Sequence, residues 1–345
     1  GVKLLTPKQR VVLSQTLRVD GKAQPLRRTW IPKPGSAEKR PLGIPTLRDR
    51  ASQTLVKQAL EPEWEARFEP NSYGFRPGRS CHDAIEALFK VIRLQPKWVL
   101  DADIAQCFER IDHQALLDKL QSFPTLRRQI KAWLQAGVLE GVELFPTGRG
   151  TPQGGCISPL LCNIALHGLE NQIATRFPRR DLRRSRGEMI YPPQVIRYAD
   201  DFVVVHKDRD VVQACQREVQ KWLEPLGLEL KPSKTRLVHT LHTQDCTAGF
   251  DFLGFHVKQV PVGRDRSGRN SAGRVLGTRT LIKPSSSSVK RHTQRLRTIV
   301  RAHRSSAQEV LIQALNPVIR GWSLYFAIGS SRRTLSKLGE VLFQM

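Results

Sequence analysis

The sequence predicts an α+β fold with a mostly antiparallel sheet and a helical unit towards its C-terminal end. Three observations predict it. Short β-branched and aromatic runs mix with helical patterns without a regular βαβ repeat. Lys283-Pro284 and the four serines 285–288 interrupt the chain, and beyond them the apolar spacing is purely helical. The 39% hydrophobic content is enough to build ordinary buried cores.

The elements follow in order. Pro7 to Leu17 is a helix. Arg27 to Pro34 is basic and extended, since its prolines cannot continue a helix, and Lys33-Pro34-Gly35-Ser36 turns a hairpin that returns through Lys39 and Arg40. Ala51 to Phe68 is a helix with Leu55, Val56, Ala59 and Leu60 on one face, and residues 82–93 form another with Ala84, Ile85, Leu88, Val91 and Ile92. A strand at 98–104 precedes helices near 113–121 and 125–137 and a Gly-rich turn at 148–155. Ile157 to Arg176 reads as one long buried helix, and the arginine-rich 178–188 as a loop. A helix near 210–225 leads to strands near 236–240 and 250–257. Three further helices carry Leu296, Ile299 and Val300, then Val310 to Trp322 with Pro317 as a kink point, then Leu335, Leu338, Val341 and Leu342. Each stripe needs a partner to bury it, so a three-helix unit follows.

The 345 residues suggest two or three domains. A net charge of +25 and a pI near 10.5 attract polyanions, nucleic acid foremost. No apolar run approaches the length of a spanning helix, and no secretory signal is present, so no membrane partner is expected. Six cysteines include no Cys-x-x-Cys pair, which argues against a zinc module or disulfide scaffold and for reduced thiols. The nine histidines form no nuclease-like cluster. Gly1 in place of Met fits a fragment or a processed product.

Chemistry concentrates at Tyr198-Ala199-Asp200-Asp201. Val195-Ile196 before it and Phe202 to Val205 after it read as strands, with Ala-Asp-Asp as their turn. Two adjacent carboxylates there need a positive counterpart, because otherwise one of the pair has its pKa strongly raised. A divalent ion removes that penalty, and Mg²⁺ typically takes one or two carboxylates with water and substrate phosphates. The alternative is an ordinary solvated turn. Upstream, alternation along Trp98–Ile104 puts Asp101 and Asp103 on one face, from which Asp103 can reach the hairpin. Three acids from two segments suit a metal pair ~3.5–4 Å apart in a phosphoryl displacement. Asp101 reads equally as a structural acid, and Asp201 as a residue behind the metal.

These acids belong to an ordered series: Arg40-Pro41-Leu42-Gly43-Ile44-Pro45, Asn71 to Ser80, Asp103 to Phe108, Gly150 to Leu160, Tyr198 to Asp201, Leu228 to Thr235, and Phe252-Leu253-Gly254-Phe255. From about residue 27 to 326 the chain resembles the reverse transcriptases encoded by bacterial group II introns. The resemblance implies a right-hand polymerase: fingers at 1–97, a palm at 98–284 with interleaved finger elements and a basic loop near 258–283, and a three-helix, maturase X-like thumb at 285–345.

It implies two Mg²⁺ ions held by Asp103, Ile104, Asp200 and Asp201, the three acids being catalytic. Lys33, Arg40, Phe108 and Gln153 would meet the deoxynucleoside triphosphate, with Phe108 excluding the ribose 2′-hydroxyl. A plain core Phe is the alternative for Phe108, and solubility or template contact for Lys33 and Arg40. Tyr73, Arg76, Arg79, Gly254, Lys290, Arg291 and Arg295 would touch template and primer, although the aromatics near 73–75 can equally be packing. Lys234 suits an electrostatic role near the site. From Lys258 to Arg304 the cations are opposed only by Asp265, a one-sided excess that suits a phosphate-tracking surface more than a merely solvated face.

The implied activity is RNA-directed DNA synthesis in a bacterial cytoplasm. Partners would be an RNA template with a DNA primer, group II intron RNA and a DNA target. A chiefly RNA-binding splicing maturase is one alternative, and a reverse transcriptase recruited to phage defence or CRISPR adaptation is another. The family's template-clamping extension is expected before Gly1, and with no room by Met345 for the family's DNA-binding segment or endonuclease domain, target cleavage is not assigned to this chain.

Overall fold

Capping side chains set where several helices begin. Thr6 and Gln9 form a reciprocal capping box before Pro7–Thr16. Thr46 accepts from the Asp49 amide at the start of Leu47–Arg67, Asp112 from Ala115 before His113–Leu120, and Ser285 from Ser288 before Ser286–Ala302. The computed structural model describes residues 5–32, 39–182, 188–242, 248–270 and 272–345. The strands are β1 Leu26–Pro32, β2 Lys39–Ile44, β3 Trp98–Asp103, β4 Val138–Glu140, β5 Glu143–Phe145, β6 Arg180–Leu182, β7 Glu188–Ile190, β8 Gln194–Tyr198, β9 Asp201–His206, β10 Arg236–His239, β11 Phe250–Phe252, β12 Phe255–Pro261 and β13 Thr278–Pro284. Strands and helices mix as expected, and among β1–β7 and β10–β13 every strand pairing but β1–β4 is antiparallel, so the α+β class holds. The chain divides into two units, one of Gly1–Ser80, Ala102–Phe202 and Ala214–Thr235, the other of Cys81–Asp101, Val203–Gln213 and Arg236–Met345.

In the first unit a four-stranded sheet runs in the order β2-β1-β4-β5. Its β1–β2 hairpin is in register from Arg27↔Ile44 to Pro32↔Lys39. The turn expected at Lys33 to Ser36 lies outside the described residues. Every residue of Ser158–Leu166 except Pro159 is buried, so this helix lies in the unit's core. The acidic segments of this unit lie on Ala102-Asp103 of β3, at the β8–β9 turn and on Asp201-Phe202 of β9.

In the second unit β12 pairs with β11 from Phe255↔Phe252 to Val257↔Phe250, and with β13 from Phe255↔Pro284 to Pro261↔Thr278. The terminal helices are Ser286–Ala302, Gln308–Tyr325 and Arg332–Phe343. Leu296, Ile299 and Leu315 form their core, with Val300, Leu311, Val318, Ile319 and Leu342 against it. This is the three-helix solution that the apolar stripes require.

Several expectations need correction. Ile157 to Arg176 is two helices, because the chain breaks at His167-Gly168, where Gly168 takes φ +100 before Leu169–Arg176. Leu55 and Ala59 are exposed; the buried face of Leu47–Arg67 is Ser52, Gln53, Val56, Leu60 and Trp64, anchored by Gln53 accepting from the Cys156 amide. Part of the arginine-rich loop is strand, β6 against β7. The β4–β5 hairpin follows a helix that stops at Leu134 rather than near 137. Pro284 ends a strand and Ser285 caps the next helix, so no linker separates them.

Candidate active site

β8 and β9 are joined through Ala199 and Asp200, and Ala199 adopts left-handed backbone at φ +57. The neighbouring strand approaches this turn closely: the Ile104 amide donates to the Asp200 carbonyl at 3.2 Å. From the other side the Lys231 amide donates to the Asp103 carbonyl at 2.8 Å, and the Ala105 amide to the Glu229 carbonyl at 2.9 Å. The backbones bearing Asp103, Asp200 and Lys234 are thereby fastened together. Lys234 Nζ reaches Asp103 Oδ2 at 2.6 Å.

Electrostatics follow from this placement. Burial raises the Asp200 carboxyl above the usual range and the Asp103 charge adds to the effect, while Lys234 and Arg40 oppose it. The Lys234 ammonium is raised in turn, first by its hydrogen bond to Asp103 and then by the charges of Asp103, Asp201 and Asp200. One ammonium thus feels all three acids. Asp101 is set apart from this group: it is buried and paired with Arg236 at 2.7 Å, the structural alternative read from the sequence.

Phe108 is half-buried and edge-on to Phe75, with ring centroids 5.9 Å apart. Gln153 donates to Glu109 Oε1 at 3.1 Å, and its carbonyl accepts from the Gly43 amide at 2.7 Å. Gly150 has φ +81, and a Cβ there would lie 2.5 Å from the Glu109 carbonyl oxygen, so only glycine lets this loop pass so close. Phe108, Glu109 and Gln153, with Arg28, Pro41 and Gly43, line a cleft of about 170 Å³. Arg40 is exposed on β2. Lys33 lies outside the described residues.

The 71–79 segment departs from expectation. Arg76 is buried, its fork on the Glu65 carboxylate at 2.8–3.1 Å and its third nitrogen on the Glu69 and Ser72 carbonyls. It braces the loop, with its donors engaged by Glu65, Glu69 and Ser72. Tyr73 is buried as well, with the Arg79 guanidinium over its ring, while Arg79 donates to the Pro70 carbonyl.

Sequence reasoning missed Arg197, Asn163 and Ser72, which are buried beneath the acidic turn. The available signal was an arginine inside an apolar strand pattern, one residue before Tyr198.

In the second unit Leu253 and Gly254 form the β11–β12 turn with φ +50 and +80. The Gly254 carbonyl accepts from the Ser285 amide and from Ser288 Oγ, and Tyr325 Oη donates to the Leu253 carbonyl at 2.8 Å. This turn lines a cleft of about 480 Å³ with Arg291, His292, Trp322 and Phe326. Lys290, Arg291 and Arg295 are exposed on the adjoining helix.

Among the described residues no group of three or more His, Cys, Asp or Glu stands ready to hold a metal ion as arranged, and Lys234 is seated on Asp103. The donor chemistry nevertheless fits a hard cation: carboxylate oxygens on neighbouring strands, one of them raised by burial and by its neighbour's charge. No helix among the described residues is long and apolar enough to cross a membrane.

The chain matches the family described as "Reverse transcriptase (RNA-dependent DNA polymerase)" over residues 31–257, and "Group II intron, maturase-specific domain" over 289–345. It is 36% identical over 270 residues to protein YkfC of Escherichia coli, covering 68% of each chain. It is 30% identical over 316 residues to the group II intron-encoded protein LtrA of Lactococcus lactis, covering 76% of this chain and 51% of that one. It thus spans about half the length of the lactococcal relative. A putative COX1/OXI3 intron 1 protein of Saccharomyces cerevisiae is 24% identical over 70% of this chain and 34% of its own. These likenesses favour an intron-borne protein over one recruited to defence.

Proposed function

Because this chain belongs to the reverse transcriptases and carries the maturase-specific domain of group II intron proteins, we propose that it copies RNA from a DNA primer and binds the intron RNA that encodes it. The family uses divalent metal ions. Here two Mg²⁺ ions would be held by the Asp103, Asp200 and Asp201 carboxylates with the Ile104 carbonyl, and would supply charge stabilisation to the attacking and leaving oxygens. The chain's own residues do the positioning. The Ile104–Asp200 backbone bond fixes the two acid-bearing strands side by side, and this one observation carries the reading. Lys234 holds Asp103 in a defined rotamer and balances the local negative charge. Arg40 brings a second positive charge within range of Asp200, suited to an incoming triphosphate. Lys33 is assigned to the same triphosphate by resemblance. Phe108, edge-on to Phe75, is shaped to narrow the space beside the sugar, and Gln153 to meet the nucleotide from the Gly-rich loop.

Residues 1–97 are read as fingers, 98–284 as palm and 285–345 as thumb. Arg291 shares a cleft with the Gly254 turn, and with Lys290 and Arg295 exposed on the same helix it suits the primer-template backbone. The place of action is the bacterial cytoplasm, and mobility into a DNA target would draw on the same polymerase.

The test is primer extension on an RNA template with Mg²⁺. Asp200→Asn should abolish extension while leaving the melting temperature and RNA affinity near wild type; extension at a near wild-type rate overturns the assignment. The maturase-specific match favours a second role in splicing. Asp200→Asn should still support splicing of the cognate intron, and loss of both activities together argues against separable roles.

A further inference from the structure

Arg197 is 2% exposed and sits in β8, directly beneath the acidic turn. Its guanidinium donates to Asn163 Oδ1 at 3.1 Å, to the Ala199 carbonyl at 3.1 Å and to Ser72 Oγ at 2.7 Å. All three acceptors are neutral. Asn163, fully buried, passes the connection on by donating to the Gly74 carbonyl at 2.7 Å. The backbone repeats the link: the Arg197 amide donates to the Asn71 carbonyl, and the Tyr73 amide to the Arg197 carbonyl, both at 2.9 Å. The 71–74 segment is drawn so near the turn that a Cβ on Gly74 would lie 2.3 Å from the Ala199 nitrogen.

Two costly features therefore meet at one point. Burying a guanidinium on neutral acceptors carries a desolvation penalty. A non-glycine residue at φ +57 adds backbone strain. An apolar side chain at 197 and a glycine at 199 would relieve both. Strain of this kind persists where the surroundings over-determine it, and it gathers where geometry must be held. Only a planar fork with several donors can hold the Ala199 carbonyl, Asn163 and Ser72 at once; a lysine offers a point charge instead.

We propose that Arg197 is a positioning residue for the polymerase reaction: it locks Ala199 in left-handed backbone and thereby fixes the direction in which Asp200 and Asp201 present their carboxylates. This rests on the reading of those two acids as the cation-binding pair.

The experiment uses Arg197→Lys, Ser72→Ala and Arg197→Lys/Ala199→Gly, with Asp200→Asn as control. Each is assayed for extension kinetics, for melting temperature and for Mn²⁺ affinity by electron paramagnetic resonance without nucleotide. Arg197→Lys should lower Mn²⁺ affinity and kcat by about 10–100-fold, with the KM for nucleotide changed by less than about threefold. Glycine at 199 adopts the turn conformation unaided, so the double variant should recover part of both losses. Ser72→Ala, which removes one of the three acceptors, should shift both in the same direction by a smaller factor, and it decides the question if Arg197→Lys does not fold. A lower melting temperature with unchanged Mn²⁺ affinity and kcat, or equal losses with and without glycine at 199, overturns the proposal. Failure of the underlying reading looks different: Asp200→Asn would itself keep wild-type Mn²⁺ affinity and extension.

Discussion

Phe108 shows what a single side chain contributes beside the acids. It rests edge-on against Phe75, itself 47% exposed and at φ +60, so two aromatic rings stand where the backbone turns sharply. Phe108→Ala should relax discrimination against ribonucleotides by about 10–200-fold, read as the ratio of kcat/KM for the two sugars in primer extension. An unchanged ratio assigns Phe108 to packing alone. At this scale the sequence was informative where a residue's chemistry has one use. Asp103 and Asp200 sit where their pattern puts them, because adjacent acids at a strand turn have few other purposes. Arg76 and Arg197 were not legible in the same way. An arginine reads as surface charge until its neighbours are known, and both turn inward to backbone and side-chain oxygens.

Among the elements, the three terminal helices were legible because a 3.6-residue stripe survives without knowledge of its partner. The break at Gly168 was not, since apolar residues continue through it and only the backbone angle reveals the change of direction. The β4–β5 hairpin was hidden for a different reason: Leu139, Leu144 and Phe145 are partly exposed, so no buried alternation marks it. The first terminal helix also carries a titrating group. His292 is buried and stacked on Trp322 at 4.6 Å, and burial lowers its pKa below 6.5. The unfolded chain then takes up a proton that the folded helix resists. Stability should therefore decline as pH falls from about 6.5 and level off below the folded-state value. Melting curves between about pH 7 and pH 5 should show a shallower slope in His292→Phe, which keeps the stack without the titration; an identical slope removes His292 as its source.

For the whole molecule, the charge of +25 is the largest lever. Affinity for primer-template should fall about 10³–10⁵-fold between 50 and 200 mM salt if six to ten phosphates are neutralised. Replacing Lys290, Arg291 and Arg295 together by Ala should reduce the log–log salt slope by about 2–3, and an unchanged slope removes them from the phosphate-binding surface. The α+β class was legible because it needs only the mixture of periods. Which strands lie side by side was not, since sheet order depends on pairings between distant segments that no local pattern encodes.

That distant pairing has a consequence for how the protein comes into being. β3 cannot complete its ladder until residues 236–239 exist, because Val99 pairs with Val238 and Asp101 with Arg236. A ribosome adding about 5–20 residues each second needs on the order of ten seconds to span that interval. For most of it, until residues 200 and 201 are added, the half-made chain has its first acid but neither of the other two. The strand that carries the first acid therefore reaches its final register only when synthesis is well past its midpoint.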